Sequence, residues 1–460
     1  MSLIADLTAR LGPGAVLSGA EVPARAVSDA SETGRHRPVA LLRPSSTDEV
    51  SAALAICHRH AQPVVPQGGM TGLAGGANPG EGEVALCLDR LSGIEEIDPD
   101  GATMTLRAGT VLQVAQEAAE TAGFLLPIDL GSRGSCQIGG IIANNAGGVR
   151  VIRHGMTRNN LLGVEAVLAD GTVVSNLNKL TKNNTGYDLT QLLAGSEGTL
   201  AVITRAVLRL RPLPRARCTA LCALEDFADV IELLKQARIA LPGLSALEVM
   251  WEDYFALLQE AEGIRLLSPA PPFAVIIEAE GMDEARLTEG FEDFLGRALG
   301  AGILTDALVA RSLKEAGAFW AVREGHHLSR LMPHLINLDV SLDIGRMEEF
   351  ATGCRRALRD RFADIRVLFF GHAGDGNLHI AADEPLPGQD DATHELCAIV
   401  YDLVRKAGGS ISAEHGIGTL KRAYLGCSRS PAELAVMRAL KRALDPEGML
   451  NPGKLLGAAG

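Results

Sequence analysis

The sequence predicts an α+β protein with two main domains, and three observations lead to this prediction. The first half alternates strand-like and helix-like segments and contains a hairpin signal. A stretch with two prolines and three arginines, LRPLPRARC, then interrupts the pattern near residues 212–217. The second half has longer helical stretches between strand-like runs. The chain has 460 residues, and since domains average about 150 residues, two or three domains are expected.

The elements of the first half follow from local signals. LLRPSSTDEVSAALAICHRHAQPVVPQGG is typical of strand, helix and strand, because Ser46 and Glu49 have the spacing of a capping box. MTLRAGTVLQVAQEAAETAGFLLP repeats the order of strand and helix. VEAVLADGTVV predicts a hairpin, since Asp170 and Gly171 can take the positive φ angles of a tight turn. GTLAVITRAVLRLRP then alternates like a strand.

The second half has a different pattern. LEDFADVIELLKQARIA and DEARLTEGFEDFLGRALG have helical periodicity, whereas FAVIIEAE and RVLFFGH are typical of strands. This half therefore predicts helices packed on an antiparallel sheet. We divide the chain into an N-terminal segment (1–35), a first domain (36–214) and a second domain (215–460).

The composition argues against several classes of protein. A net charge of −13 leaves no basic surface for nucleic acid. No stretch approaches the roughly 18 apolar residues of a membrane span, and MSLIADLTARLGPG has no basic region before its apolar run, unlike a secretory signal. The eight cysteines lack CxxC spacing, which favours a reduced, cytoplasmic protein without disulfides. Cys218 and Cys222 are interpreted as strand residues rather than metal ligands.

Three glycine-rich segments are candidates for a phosphate site. PVVPQGGMTGLAGG (63–76) has five glycines in nine residues, but alone it could equally be a tight structural turn. It matches neither a P-loop nor a GxGxxG motif. PIDLGSRGSCQIGGIIANNAGG (127–148) and LLAGSEGTLAVIT, which includes Glu197, add two further segments. Together they favour a dinucleotide whose pyrophosphate lies between the first two loops.

These segments, with TKNNTGYDL (181–189) between the second and third, resemble the FAD-binding domain of the vanillyl-alcohol-oxidase and p-cresol-methylhydroxylase superfamily. The resemblance implies FAD between two α+β subdomains, followed by an α+β substrate or cap domain with an antiparallel sheet. Met70 stands where covalent members often have a histidine, so histidyl linkage is excluded and non-covalent FAD is expected. Cys136 is favoured as a packing residue over a thioether to the flavin. The implied cofactor contacts are Pro66, Gln67, Gly68, Gly69, Met70, Thr71, Gly72, Leu73, Pro127, Gly131, Gly134, Ser135, Gly139, Gly140, Asn144, Asn145, Gly147, Gly148, Glu197, Gly198, Ile203 and Asn451.

A second group of residues indicates a metal site. FFGHAGDGNLHI places His372 and His379 on either side of a turn, so two imidazoles opposite one another on paired strands can converge on one ion. For an isolated pair of this kind, hydrogen-bonded core histidines are favoured. GGSISAEHGIGTLKR adds Glu414 and His415. A ligand set of two histidines and one glutamate leaves coordination positions open, as in catalytic rather than structural zinc sites.

These two segments and LDPEGMLNPGK (444–454) resemble the C-terminal domain of FAD-linked D-2-hydroxyacid dehydrogenases, chiefly D-2-hydroxyglutarate and D-lactate dehydrogenases. The resemblance extends from about residue 36 to residue 455. It implies that His372, His379 and Glu414 bind a divalent metal of the zinc type. It also implies that His415 is the active-site base and that Asn451 returns the chain's end to the flavin.

The expected activity is oxidation of a D-2-hydroxy acid to a 2-oxo acid. The substrate can chelate the cation through its hydroxyl and one carboxylate oxygen, His415 takes the hydroxyl proton, and a hydride passes to flavin N5. The electrons then pass to a separate acceptor such as an electron-transfer flavoprotein or a quinone, and a homodimer is kept as a candidate assembly. Two alternatives stay open: a metal-independent flavin alcohol oxidase, and a flavin-bearing electron-transfer subunit of a multi-subunit complex.

Substrate selection is expected to depend on residues around Arg323. Arg323 matches the family's substrate-carboxylate arginine, against the alternative of a surface arginine paired with Glu324. Three candidate substrate positions depart from the D-2-hydroxyglutarate enzymes: His327 replaces a threonine, Asn337 a lysine and Ala381 an asparagine. Because a lysine and an amide are lost, the grip on a second carboxylate is weaker, and the distal group of the substrate is expected not to be glutarate-like.

Overall fold

A computed structural model describes residues 2–385 and 390–457 of the chain. Met1, at the start of the predicted N-terminal segment, and residues 458–460, at the end of the predicted second domain, lie outside this described part. Residues 386–389 also lie outside it. The described residues form two compact units. The first comprises residues 2–148, 155–213 and 414–457, and the second comprises residues 149–154, 214–385 and 390–413.

The strands, in chain order, are β1 (Val16–Ser18), β2 (Ala40–Leu42), β3 (Val64–Gln67), β4 (Val84–Cys87), β5 (Ile94–Asp98), β6 (Thr103–Arg107), β7 (Phe124–Leu125), β8 (Leu161–Val167), β9 (Val173–Asn176), β10 (Val202–Arg209), β11 (Arg211–Pro212), β12 (Ala216–Leu224), β13 (Leu244–Trp251), β14 (Phe273–Gly281), β15 (Asp306–Val309), β16 (Leu335–Ser341), β17 (Val367–His372) and β18 (Asn377–Asp383).

The helices, in the same order, are α1 (Leu3–Leu11), α2 (Thr47–Arg59), α3 (Leu112–Thr121), α4 (Ile138–Asn144), α5 (Val151–His154), α6 (Thr157–Asn160), α7 (Leu189–Leu193), α8 (Phe227–Ala240), α9 (Glu252–Ala261), α10 (Glu284–Gly300), α11 (Leu313–Glu324), α12 (Leu328–Leu331), α13 (Met347–Arg361), α14 (Asp390–Ala407) and α15 (Pro431–Leu444). Among the described residues, no helix is both long enough and apolar enough to span a membrane.

The first unit is built on two main sheets. One has four strands in the order β1-β2-β4-β3, with parallel pairing between β2, β4 and β3. The other has five antiparallel strands in the order β5-β6-β10-β8-β9. One apolar cluster includes Leu42 and Leu86 of the first sheet and Leu106 and Leu208 of the second. The two α+β subdomains therefore share a continuous core.

Local sequence signals account for two elements of this unit. Ser46 Oγ accepts the N–H of Glu49 at 3.2 Å, so α2 begins where the capping-box spacing predicts. β8 and β9 form the predicted antiparallel hairpin. Only Gly171 of the turn pair has a positive φ, of 92°, and Asp170 Oδ1 instead accepts the N–H of Thr172 at 2.8 Å. A positive φ at Asp170 is therefore a wrong expectation.

The second unit is built on one seven-stranded sheet. Its order is β15-β12-β14-β13-β17-β18-β16 and every neighbouring pair is antiparallel, which confirms the antiparallel sheet predicted for the second half. Residues of α9 and α11 pack with Met250, Ile276 and Phe370 in one apolar cluster. Because side chains alternate along a strand, His372 and His379 project from the same face of the sheet as Phe370.

A buried ionic cluster also lies on this face of the sheet. Glu278 and Glu280 of β14 are 1% and 2% exposed. Arg150 Nε donates to Glu278 Oε1 at 3.0 Å, so the short α5 segment is anchored to the second unit. Burial alone would raise the pKa of Glu280, but His154 and neighbouring arginines outweigh it and lower the pKa to about 2. The Glu280 carboxylate is therefore held ionised within the unit.

Candidate active site

The two histidines of GHAGDGNLH lie on neighbouring strands of the second unit. β17 ends at His372 and β18 begins at Asn377. The register pairs His372 with Asn377 and His379 with Phe370. The histidines are therefore diagonal neighbours on one face of the sheet, and the direct pairing expected from the sequence is wrong.

The two imidazole rings nevertheless converge. Their Nε2 atoms are 3.3 Å apart, and His372 and His379 are only 5% and 7% exposed. Two nitrogens bound to one tetrahedral ion at about 2.1 Å lie about 3.4 Å apart, so the spacing suits a shared ion. The same distance suits a hydrogen bond between the rings when no ion is bound. The donor pair therefore fits a divalent metal of the zinc type.

A buried carboxylate that the sequence reasoning missed orients His372. Glu248 of β13 is 1% exposed, and its Oε1 lies 2.8 Å from His372 Nδ1. Because an ionised carboxylate only accepts, Nδ1 carries the hydrogen of this contact, and Nε2 is the ring nitrogen that faces His379. Burial alone would raise the pKa of Glu248, but His372 and Arg323 outweigh it and lower the pKa.

Arg323 shares the same carboxylate. Its Nη2 lies 2.6 Å from Glu248 Oε2, as an ion pair without the angles of an aligned hydrogen bond. Its Nε is buried and has no hydrogen-bond partner in the described part of the chain. The alternative of a surface arginine paired with Glu324 is wrong, since Arg323 is 5% exposed and Glu324 lies 2.9 Å from His326.

Aromatic side chains complete this cluster. The Arg323 guanidinium carbon lies 4.8 Å from the ring centroid of Phe370, and Phe370 stacks on His379 with centroids 4.9 Å apart. Tyr254 also stacks on Phe370, with ring centroids 4.3 Å apart, and its hydroxyl donates to the Arg323 carbonyl at 3.0 Å. The arginine and the histidine pair are therefore held in one packed group.

Asp339 holds the chain just before Glu414. It is fully buried and is paired across the sheet with His379. Its Oδ2 accepts the N–H of Ala413 at 3.0 Å, and its Oδ1 accepts Asn377 Nδ2 at 2.8 Å. Ala413 is the last residue of the second unit, and the chain returns to the first unit at Glu414. The predicted ligand set of His372, His379 and Glu414 stays a prediction, as does His415 as base.

The three positions that depart from the D-2-hydroxyglutarate enzymes lie in the second unit. Ala381 is fully buried in the apolar cluster and is paired across the strands with Asn337, which is exposed. His327 Nε2 lies 3.5 Å from Glu262 Oε1. None of these three residues replaces the positive charge of a lysine. The one imidazole among them, that of His327, lies beside the carboxylate of Glu262.

In the first unit, the first two glycine segments are in direct contact. A Cβ on Gly69 would lie 2.0 Å from the carbonyl oxygen of Ser135. A Cβ on Gly68 would lie 3.5 Å from Gln137 Oε1. Glycine is therefore required at position 69, since any side chain would separate the loops. The predicted clamp of two glycine loops has the close backbone approach that a pyrophosphate site needs.

The third segment packs on the first. A Cβ on Gly198 would lie 3.2 Å from Pro66 Cγ. The half-buried Glu197 accepts the N–H groups of Ile417 and Gly418 through its carboxylate at 2.9 and 2.7 Å. Burial raises the pKa of Glu197, and the two N–H groups oppose that shift. Its predicted adenine-side contact stays a prediction, and two of its acceptor sites are already used by backbone groups.

The polar residues of the second segment fix neighbouring backbone. Asn144 Nδ2 donates to the carbonyl of Glu414 at 2.7 Å, within the first unit. Asn145 ends α4 with a φ of 50°, and its Oδ1 accepts the N–H of Arg158 at 3.0 Å. Cys136 is 2% exposed in the apolar core, and burial raises the pKa of its thiol. These features suit a packing role for Cys136 rather than a thioether.

The C-terminal tail also joins the glycine segments. Asn451 Nδ2 donates to the carbonyls of Gly76 and Glu197 at 2.9 and 2.8 Å. Its Oδ1 is buried without a hydrogen-bond partner among the described residues, and so is Gln137 Oε1. An unmet buried acceptor costs roughly 1–3 kcal/mol. Two such acceptors beside a glycine cradle fit a ligand with N–H and O–H donors, as the flavin ring and ribityl chain of FAD provide.

The other residues that the resemblance assigned to the cofactor share one location, the first unit. They are Pro66, Gln67, Met70, Thr71, Gly72, Leu73, Pro127, Gly131, Gly134, Gly139, Gly140, Gly147, Gly148 and Ile203. Their individual contacts with FAD stay predictions. Gln137 was missed because a glutamine before a helix has no local signal that distinguishes it from any other polar residue.

The glycine-loop unit, followed by an α+β unit with a buried histidine pair, defines the chain as a two-domain flavoprotein oxidoreductase. Family models agree with this class: residues 38–176 match an FAD binding domain, and residues 213–455 match the C-terminal domain of FAD linked oxidases. The chain is 38% identical over 459 residues to mitochondrial D-2-hydroxyglutarate dehydrogenase of Bos taurus, covering 98% of this chain and 83% of that protein.

Two further relatives support the assignment. D-2-hydroxyglutarate dehydrogenase of Stutzerimonas stutzeri strain A1501 is 34% identical, with 99% of both chains covered. The crystal structure of p-cresol methylhydroxylase with substrate bound has a TM-score of 0.76 at 16% identity, covering 99% of this chain and 96% of that one, so it shows the fold alone. The chain belongs to the family of FAD-linked D-2-hydroxyacid dehydrogenases, which confirms the family resemblance found in its motifs, and its fold is similar to that of p-cresol methylhydroxylase.

Replacing Gly69 tests the glycine clamp. Gly69→Ala should weaken FAD binding at least about tenfold, about 1.4 kcal/mol, because its Cβ must push the Ser135 carbonyl away from the first loop. FAD affinity is measured by fluorescence titration of the apoprotein. Gly14→Ala is the control, since its Cβ meets no atom within 4 Å. Unchanged FAD affinity in Gly69→Ala would refute the clamp.

Proposed function

We propose that the chain oxidises a D-2-hydroxy acid to the corresponding 2-oxo acid, with FAD and one divalent metal ion. The observation that carries the proposal is the histidine pair. The Nε2 atoms of His372 and His379 lie 3.3 Å apart, and Nδ1 of His372 is bonded to Glu248. Relatives named D-2-hydroxyglutarate dehydrogenase support the substrate class.

His372, His379 and Glu414 would hold the metal, for which zinc is the expected ion. Asp339 is a competing carboxylate, with an oxygen within 4.8 Å of a ring nitrogen of His379. Its oxygens, however, already accept from Asn377 and from the backbone N–H of Ala413. When bound, the ion would act as a Lewis acid that lowers the pKa of the substrate hydroxyl.

Two backbone contacts support the assignment of Glu414. The N–H of Ala413 is bonded to Asp339, which is the cross-strand partner of His379. The carbonyl of Glu414 is bonded to Asn144 at 2.7 Å. Each of these bonds lies within one unit, and each restrains the backbone next to the Ala413–Glu414 peptide bond.

His415 would take the hydroxyl proton on a ring nitrogen, since an unperturbed imidazole, with a pKa near 6.5, accepts protons at neutral pH. Arg323 would bind the substrate carboxylate through Nε, which has no hydrogen-bond partner among the described residues, and through its remaining N–H groups. The guanidinium is already oriented by Glu248 and Phe370. The hydroxy acid then loses one proton to His415 and one hydride from C2.

FAD, when bound, supplies the acceptor for that hydride. The glycine segments and the buried acceptors of Gln137 and Asn451 would hold it without a covalent bond. An electron-transfer flavoprotein or a quinone is proposed as the next electron acceptor. A cytoplasmic location and a homodimer stay predictions.

For the substrate's far end, we propose a group without a second carboxylate. Ala381 is fully buried among apolar side chains, where a polar partner would be needed. His327 lies beside the carboxylate of Glu262, which would repel an anionic group. An apolar or hydrogen-bonding distal group is therefore favoured, although the named relatives act on D-2-hydroxyglutarate.

Metal analysis tests the ligand pair. The purified protein should contain about one divalent ion per chain, and EDTA treatment should abolish turnover with a dye acceptor until zinc is restored. His379→Gln should remove the metal while FAD content stays normal, because the glycine segments lie in the other unit. His334→Gln, at a histidine whose side chain is 61% exposed, is the matched control. Full turnover after complete metal loss would favour the metal-independent alcohol oxidase.

A substrate panel tests the distal group. The kcat/KM for D-lactate or a branched aliphatic D-2-hydroxy acid should exceed that for D-2-hydroxyglutarate at least about tenfold, about 1.4 kcal/mol of transition-state binding. The physical reason is the missing cation beside Ala381 and Asn337. A clear preference for D-2-hydroxyglutarate would contradict this proposal. No turnover with any hydroxy acid would favour the electron-transfer subunit.

A further inference from the structure

We propose that Glu248 is a positioning residue that couples metal binding to recognition of the substrate carboxylate. This inference rests on the proposed function. Each carboxylate oxygen serves a different partner: Oε1 lies 2.8 Å from Nδ1 of His372, and Oε2 lies 2.6 Å from Nη2 of Arg323. Glu248 is not one of the proposed metal ligands, and it would act through these two side chains.

Only a carboxylate meets both demands. His372 presents an N–H group to Glu248 and Arg323 presents its guanidinium charge, and a carboxylate offers each of them an anionic oxygen and no donor. A glutamine offers one carbonyl and one NH2 group. If its carbonyl faces His372, two sets of donors meet at Arg323 and the guanidinium loses its anchor. If its carbonyl faces Arg323, the NH2 group favours the tautomer of His372 with hydrogen on Nε2, and the nitrogen that faces His379 then has no lone pair for a metal.

The packing around Glu248, His372 and Arg323 restricts the movement of their side chains. Arg323 lies over Phe370, and Phe370 stacks on His379. Tyr254 donates its hydroxyl to the Arg323 carbonyl at 3.0 Å. A shift of the guanidinium therefore displaces the aromatic ring against which the second histidine lies. The metal ligands and the arginine are linked twice, once through the carboxylate and once through Phe370.

The chain offers a matched control for the loss of a buried carboxylate. Glu278 is 1% exposed, like Glu248, and lies on the adjacent strand β14. Its partners include Arg150, Ser245 and Trp320, whereas those of Glu248 are His372 and Arg323. Glu278→Gln therefore measures the general effect of neutralising a buried carboxylate in this sheet.

The test compares FAD-loaded wild type, Glu248→Gln and Glu278→Gln. Zinc affinity is measured by competition with a chromogenic chelator, and KM for the best D-2-hydroxy acid is measured with zinc saturating. Glu248→Gln should weaken zinc binding 10–100-fold or raise KM at least about tenfold, since losing a group that orients metal ligands has effects of this size. Glu278→Gln should leave both within about threefold.

Zinc affinity of Arg323→Lys is a second test, which does not require Glu248→Gln to fold. Arg323 is not a predicted ligand, yet the coupling predicts that this variant weakens zinc binding severalfold, because the carboxylate loses its guanidinium partner. The proposal is overturned if zinc affinity is unchanged in Arg323→Lys, or if Glu248→Gln and Glu278→Gln behave alike. Absence of zinc binding in wild type would instead overturn the proposed function, so the two failures are distinct.

Discussion

The ion pair and hydrogen bond that share the Glu248 carboxylate are the constraint on which the second unit's site depends. A buried charge is tolerated only when its partners are in place, and removing one partner of such a pair costs roughly 3–5 kcal/mol. Neither His372 nor Arg323 can therefore move away from Glu248 without leaving one carboxylate oxygen unpaired. The sheet supplies the rest, because β13 places Glu248 directly beside His372. Orientation of a ligand and of an arginine is thus built into the core.

The first unit depends on a different constraint, which is the close approach of the backbones of its glycine segments. Gly69 and Ser135 touch in a way that no side chain permits, and Glu197 binds the returning chain through Ile417 and Gly418. The same return segment brings in Asn451, whose Oδ1 has no partner among the described residues. Backbone contact defines the cradle, and buried acceptors give it an affinity for donors. Neither feature depends on the chemistry of the second unit.

Features set by neighbouring residues could be predicted from the sequence, and features set by distant residues could not. The α2 start at Ser46 and the antiparallel hairpin around Gly171 follow from local signals. The histidine pair was found, but its register was wrong, because the turn length between two strands does not determine which residues face one another. Glu248 was missed because its partner His372 lies 124 residues away. A lone charge within the apolar strand LSALEVMW was the signal that could have found it.

The most direct measurement of the central claim is anaerobic reduction of the bound flavin in a single turnover. Flavin bleaching is followed after mixing with the D or the L form of one 2-hydroxy acid, before and after metal removal. A metal-assisted dehydrogenase predicts rapid bleaching by the D form alone, and bleaching at least about 100-fold slower without metal, about 2.7 kcal/mol in barrier. Equal rates with and without metal, or equal bleaching by both enantiomers, would contradict the account.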